Sequence, residues 1–179
     1  MSFDEAVTSP YPPYPANMRG RAFERGQKYF NAFTGFDEKY EVIAVEQDLD
    51  AMIGPHMFRG IVDLVLKDST DGKLVIVDHK TKSIASMKRE LELFKKQLYL
   101  YAHLFYTEYS EFPKEMGFNM VDETEFMLFP FEEPVYHEVL QWAEDLIDEI
   151  LLADEFEPKI SKYFCDNICG VRGVCPAFS

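Results

Sequence analysis

Hydrophobic positions recur with two different periods along the 179 residues, and the switches between them outline the elements. From Asn17, a candidate N-cap, Ala22, Phe23, Tyr29, Phe30 and Phe33 recur at helical spacing and Gly35 supplies a stop, which predicts a helix over residues 18–33. The period then shortens. Residues 40–46 read as a strand, Gly54-Pro55 breaks the chain, and residues 57–67 form a second apolar run. Asp68-Ser69-Thr70-Asp71-Gly72 is turn chemistry before a third run, residues 73–79. Three consecutive strands joined in this way predict an antiparallel meander. Ser86 can cap a long helix from residue 87 to about 109, in which Phe94, Leu98, Tyr101 and Phe105 fall on one apolar face, and Pro113 ends any continuation. Residues 116–131 read as strand, turn and strand with Asp122-Glu123 at the bend, and Pro134 in a first turn opens a last helix over 135–153. No internal repeat interrupts this order. The fold class expected is α/β (α+β), a central mixed sheet with an antiparallel meander, flanked by helices.

The two ends depart from this pattern. Residues 1–16 contain Pro10, Pro12, Pro13 and Pro15 and predict an extended, polyproline-like leader. Residues 17–160 are expected to form one domain, with 161–179 a cysteine-rich tail packed on it. No apolar stretch approaches the roughly 20 residues of a membrane helix, and the opening Met1-Ser2-Phe3-Asp4-Glu5 lacks the basic start of a signal peptide. A cytoplasmic chain with no membrane partner is the expectation.

Charge changes the picture by its distribution. The net charge of −14 argues against a nucleic-acid partner at first sight. Between Glu108 and Glu157, however, 16 acidic residues face a single base, Lys114, so this segment holds the whole excess. From Lys80 to Lys96, by contrast, Lys80, Lys82, Lys88, Arg89, Lys95 and Lys96 outnumber Glu90 and Glu92. A basic strip is therefore available for phosphates, with Lys82, Lys88 and Arg89 as candidate DNA contacts.

Candidate chemistry lies beside that strip. Alternation along the third strand puts Leu74, Ile76, Asp78 and Lys80 on one face and Val75, Val77 and His79 on the other. An Asp-x-Lys spacing presents a carboxylate next to an ammonium, which is either a strand-end ion pair or part of a metal and water site. The second strand carries another acid, Asp63, inside the apolar run from Ile61 to Leu66. If the two strands pair, Asp63 and Asp78 converge, and converging carboxylates repel unless a divalent cation separates them. Magnesium or manganese suits such oxygen ligands; two separate ion pairs are the alternative.

Gly60-x-x-Asp63, then Asp78-x-Lys80, then Gln97-x-x-x-Tyr101 on the following helix resembles the PD-(D/E)xK nuclease superfamily, in particular its RecB-type branch, over about residues 19–114. The resemblance implies a restriction-endonuclease-like core and a metal-dependent DNA nuclease that hydrolyses phosphodiester bonds. It further implies exonuclease action on DNA ends or single strands, in recombination, repair or phage DNA processing, with DNA and a helicase or recombination protein as partners. By the same resemblance Asp63 and Asp78 bind Mg2+ or Mn2+, the backbone carbonyl of His79 is a further ligand, and Lys80 orients and activates the attacking water. Gln97 and Tyr101 support the metal and the DNA phosphate; Tyr101 also belongs to the apolar stripe. Gly20-x-x-x-Glu24 fits a first-helix element of the branch, which makes Glu24 a third side-chain ligand. Arg19, Arg21 and Arg25 around it are candidate phosphate contacts.

The three cysteines, Cys165, Cys169 and Cys175, sit in the last fifteen residues and resemble the C-terminal part of the iron-sulfur site of RecB-type nucleases. The cysteine that usually precedes the first helix has no counterpart before Cys165, and cluster ligation usually takes four thiolates. The readings open are an iron-sulfur cluster with another fourth ligand, a shortened form of a longer protein, a Zn2+ site completed by His56, His103 or His137, and plain free thiols. A non-catalytic DNA- or protein-binding module on the same fold competes with the nuclease as a whole.

Overall fold

The sheet begins with a hairpin far longer than the sequence pattern indicates. In the computed structural model, which describes residues 16–33, 35, 36, 39–121, 123, 125–169 and 175–177, helix α1 (Ala16–Ala32) precedes strands β1 (Tyr40–Ile53) and β2 (His56–Asp68). The leader expected over 1–16 lies outside the described residues except for Ala16, which already belongs to α1. Strand β1 runs past Glu46, where the sequence reading ends it, through Asp48 and Asp50, which are poor strand residues. It continues because Arg59 meets both from the neighbouring strand: its Nε donates to Asp48 Oδ1 at 2.7 Å and lies 3.9 Å from Asp50 Oδ1. Gly54 makes the tight turn between them at a φ of 54°, a conformation that costs glycine little.

Strand β3 (Leu74–Lys80) completes the antiparallel meander. The turn into it is built by the Asp68 carboxylate, which accepts from the Thr70 amide at 2.9 Å and the Thr70 hydroxyl at 2.6 Å. The next helix is two pieces rather than one. Ser83, not Ser86, caps α2 (Ile84–Met87), accepting from the Ser86 amide at 3.3 Å. The Arg89 and Glu90 amides then close tight turns onto Ser86 and Met87, and α3 (Leu91–Tyr109) starts afresh. Strands β4 (Glu115–Met120) and β5 (Glu125–Pro130) follow, then α4 (Glu133–Leu152) and the short α5 (Lys162–Asn167), capped by Ser161.

Strand order is β1-β2-β3-β4-β5, with β4 parallel to β3 and β5 antiparallel to β4. The fold is α+β, a mixed five-stranded sheet flanked by helices. One face carries the main core, where Leu98, Ala102 and Phe105 of α3 and Tyr136 and Val139 of α4 pack with Val62, Ile76, Met116 and Phe118. Each such large side chain contributes about 1.5–3 kcal/mol by leaving water. The other face holds a smaller cluster, Leu64, Leu66, Val75 and Val77 beneath Phe36, Tyr40, Phe126 and Leu128. The sheet, α2, α3 and α4 belong to one unit, Tyr29–Leu152; the described residues up to Lys28 and from Ala153 onward belong to a second.

Candidate active site

Strands β2 and β3 pair from Lys67↔Leu74 to Leu64↔Val77 and no further. Beyond that point the two strands continue without a shared ladder, and Asp63 and Asp78 are the first residues past the last pair. The Asp63 Oδ2 accepts the His79 amide at 3.0 Å, so a carboxylate takes up a main-chain donor where the ladder has stopped. A local irregularity aims Asp63. The β1/β2 register runs from Val45↔Leu64 to Gln47↔Val62 and skips Glu46 and Asp63, and Glu46 has a φ of 50°. Val62 and Val65 both join the main core while Leu64 joins the opposite cluster, so alternation slips by one residue at Asp63.

On β3 the alternation holds as read from the sequence: Leu74 and Ile76 face the main core, Val75 and Val77 the other side. Asp78 is 2% exposed. Lys80 Nζ lies 2.6 Å from the buried Asp78 Oδ2, a short charge-assisted contact. The same ammonium donates to Gln97 Oε1 at 2.9 Å, and Gln97 Nε2 donates to the Tyr101 hydroxyl at 2.7 Å. The rings of Phe94 and Phe118 stand 5.3 and 5.9 Å from Lys80 Nζ, within reach of cation–π attraction. Helix α3 comes this close because position 60 is glycine: a Cβ there would lie 2.7 Å from Leu104 Cδ1 and 3.9 Å from the Tyr101 ring.

Burial is the largest influence on Asp78 and raises its carboxyl above the ordinary value; Lys80 pulls it down, Asp63 pushes it up, and His79 pulls it down. Burial also raises the Tyr101 phenol against the pull of Gln97, with the charges of Asp78 and Asp63 adding to the rise. Two carboxylates thus share one field, and the Lys80 ammonium lies against the buried one. That donor set fits a hard divalent cation held by Asp63 and Asp78.

Asp63, Asp78, Lys80, Gln97 and Tyr101, drawn from three separated motifs, stand together. The remaining expectations fare differently. Glu24 is exposed on the part of α1 that belongs to the second unit, and among the described residues no group of three or more His, Cys, Asp or Glu is placed to hold a metal. Cys165, Cys169 and Cys175 are partly exposed free thiols. Arg21 and Arg25 are exposed on α1, and the side chain of Arg19 lies outside the described residues. Lys82 pairs with Glu90 at 2.8 Å and lies 4.4 Å from the centroid of the Phe94 ring, while Lys88 and Arg89 line an open hollow with Leu91 and Leu93. Among the described residues no helix is long and apolar enough to cross a membrane.

The site also uses residues that the motifs do not name. Phe94 and Phe118 wall Lys80, and Asn119, buried on β4, donates through Nδ2 to His79 Nδ1 at 3.0 Å and to the Tyr29 hydroxyl at 2.7 Å. A lone asparagine in the apolar run Met116 to Met120 was the available signal, since a buried amide must find partners.

Compared with known proteins, residues 2–176 match the PD-(D/E)XK nuclease superfamily. A comparison with the curated proteins gives no match. Among solved structures the chain is similar to one described as "Crystal structure of SSO0001", with 18% identity and a TM-score of 0.43 over 92% of this chain and 73% of that one.

Proposed function

From its membership of the PD-(D/E)XK nuclease superfamily, we propose that this chain is a metal-dependent deoxyribonuclease of the RecB-type branch, an exonuclease working on DNA ends or single strands. Recombination, repair or phage DNA processing is the setting this reading favours, alongside a helicase or recombination protein. The observation that carries the metal-dependent part is the buried Asp78 carboxylate next to a second carboxylate at the β2/β3 fork. Asp63, Asp78 and the carbonyl of His79 are the groups that would hold Mg2+ or Mn2+. When bound, such a cation polarises the phosphodiester and stabilises the charge that develops on it.

The chain's own residues do the rest. Gln97 fixes Lys80 through its amide oxygen, so the ammonium is already placed to donate to a water and align it with the phosphorus. The Tyr101 phenol, raised by burial, keeps its proton at neutral pH and stays a hydrogen-bond donor. Phe94 and Phe118 keep bulk water from the ammonium, which strengthens its field on a bound phosphate. Lys82, Lys88 and Arg89 lie next in sequence to this site and would meet the DNA backbone.

Cleavage of end-labelled single- and double-stranded DNA with Mn2+, Mg2+ or chelator tests the reading. Wild type should cut only with metal, and Lys80→Ala and Asp78→Ala should lose activity by several orders of magnitude while retaining the native circular dichroism. Shortening from one end supports exonuclease action, and internal cuts refute that part. No cleavage under any metal, with DNA still bound, would instead establish the non-catalytic binding module.

A further inference from the structure

At the fork a positive charge of the protein's own stands against the buried carboxylate. Lys80 Nζ stands 2.6 Å from Asp78 Oδ2, an oxygen buried at the fork. A divalent cation held by Asp78 would take the place of the ammonium at that oxygen. An ammonium and a dication cannot both stand at contact distance from it, because their mutual repulsion in a partly buried setting far exceeds its value in water. Without some cation, Asp63 and Asp78 would face each other unscreened.

We propose that Lys80 is a built-in counter-ion that competes with the catalytic metal: it neutralises Asp78 while the site is empty and must withdraw before Mg2+ or Mn2+ can bind. The inference rests on the metal site proposed above and concerns what sets its affinity. Withdrawal has a prepared end point. Gln97 Oε1 holds the ammonium at 2.9 Å, and Gln97 is itself fixed through Tyr101, so the lysine gives up its contact with Asp78 without being left bare. The rings of Phe94 and Phe118 flank its path and accept the charge on their faces. Lys80 therefore lowers metal affinity as well as serving the hydrolysis, and its removal should act on the two in opposite senses.

Methionine at this position fills the slot between the two rings without charge. Mn2+ is titrated, in the absence of DNA, into the wild-type chain, Lys80→Met and Asp78→Asn, with the electron paramagnetic resonance signal of free Mn2+ as readout. The expected result is a Kd at least tenfold lower for Lys80→Met than for wild type, and binding lost in Asp78→Asn. A Lys80→Met Kd equal to or above the wild-type value overturns the competition while leaving the metal site standing. No Mn2+ binding by wild type or Lys80→Met overturns both. Circular dichroism checks the fold of each variant, and Lys80→Gln, neutral and polar, must show the same tightening should the methionine variant fail to fold.

Discussion

Asp78→Asn in the absence of metal is the perturbation that most directly tests how this site is built. The Asp78 carboxylate and the Lys80 ammonium are 2.6 Å apart, and at an effective dielectric of about 20 two unit charges at that separation attract by about 6 kcal/mol. Against this stand the costs of taking both ions out of water, several kcal/mol each for well-buried groups. The raised carboxyl of Asp78 shows which side is larger at that residue: burial outweighs the help from Lys80. A neutral asparagine of the same shape should therefore leave the free energy of unfolding unchanged, or raise it by up to about 1 kcal/mol, where removal of one member of a net-favourable buried pair would cost about 3–5 kcal/mol. Urea unfolding with chelator, followed by circular dichroism, gives the number. With Mn2+ at a hundred times its Kd the order reverses, because wild type gains about 2.7 kcal/mol from the ligand and the variant little. The pH dependence has a definite sign. A carboxyl raised on folding contributes stability below its ordinary value of 3.8 that is lost as pH climbs through its folded value. The gap between variant and wild type should accordingly close at low pH and open above that window. A loss of 3 kcal/mol or more for Asp78→Asn in chelator would refute the reasoning.

Three further outcomes follow from the scaffold. Gly117→Ala should destabilise by more than about 2 kcal/mol in urea unfolding, since a Cβ at that position would press on the Met127 carbonyl oxygen and stand 2.9 Å from Leu128 Cα, both main-chain atoms of β5 that cannot swing aside; Gly26→Ala in α1, where nothing lies within 4 Å, should instead stabilise by up to about 1 kcal/mol. Lys114 bonds Asp68 and Asp71 at 2.7 and 2.9 Å and, ahead of the Thr70 contacts, holds the Asp68 carboxyl far below the usual range; that contribution is present above pH 3.8 and lost as pH falls, so Lys114→Met should move acid unfolding, followed by circular dichroism, to higher pH.

The motif residues were legible because each rests on a local period. Asp78 and Lys80 follow strand alternation, and Gln97 and Tyr101 follow the helical repeat, so pairing β2 with β3 was enough to bring them together. Asp63 is a less direct case. Strict alternation would not have told which face it takes, since the chain slips by one residue there, a feature set by the partner strand and by Glu46. The break between α2 and α3 was hidden for a similar reason. No proline or glycine marks it, and the start of α2 is secured by Ser83 together with Glu123, whose Oε1 accepts the Ile84 amide from 39 residues away at 3.1 Å. The second half of β1 depended on Arg59, a cross-strand partner that no single-segment reading can supply. Cysteine spacing in the tail likewise records which residues could gather, and says nothing of whether the backbone brings the sulfurs together.

The bond from the His79 amide to Asp63 has a spectroscopic consequence. Main-chain protons in the middle of β3 are sealed between β2 and β4 and exchange with solvent only when the sheet opens. The His79 proton is guarded by a side chain instead, so its protection depends on the ionisation and loading of Asp63 and not on the strand. In an amide-resolved spectrum, that one resonance should shift and change its exchange rate when a cation enters the fork, while Val75 and Val77 stay still. On the proposed reading, the His79 amide would report occupancy of that site without a substrate.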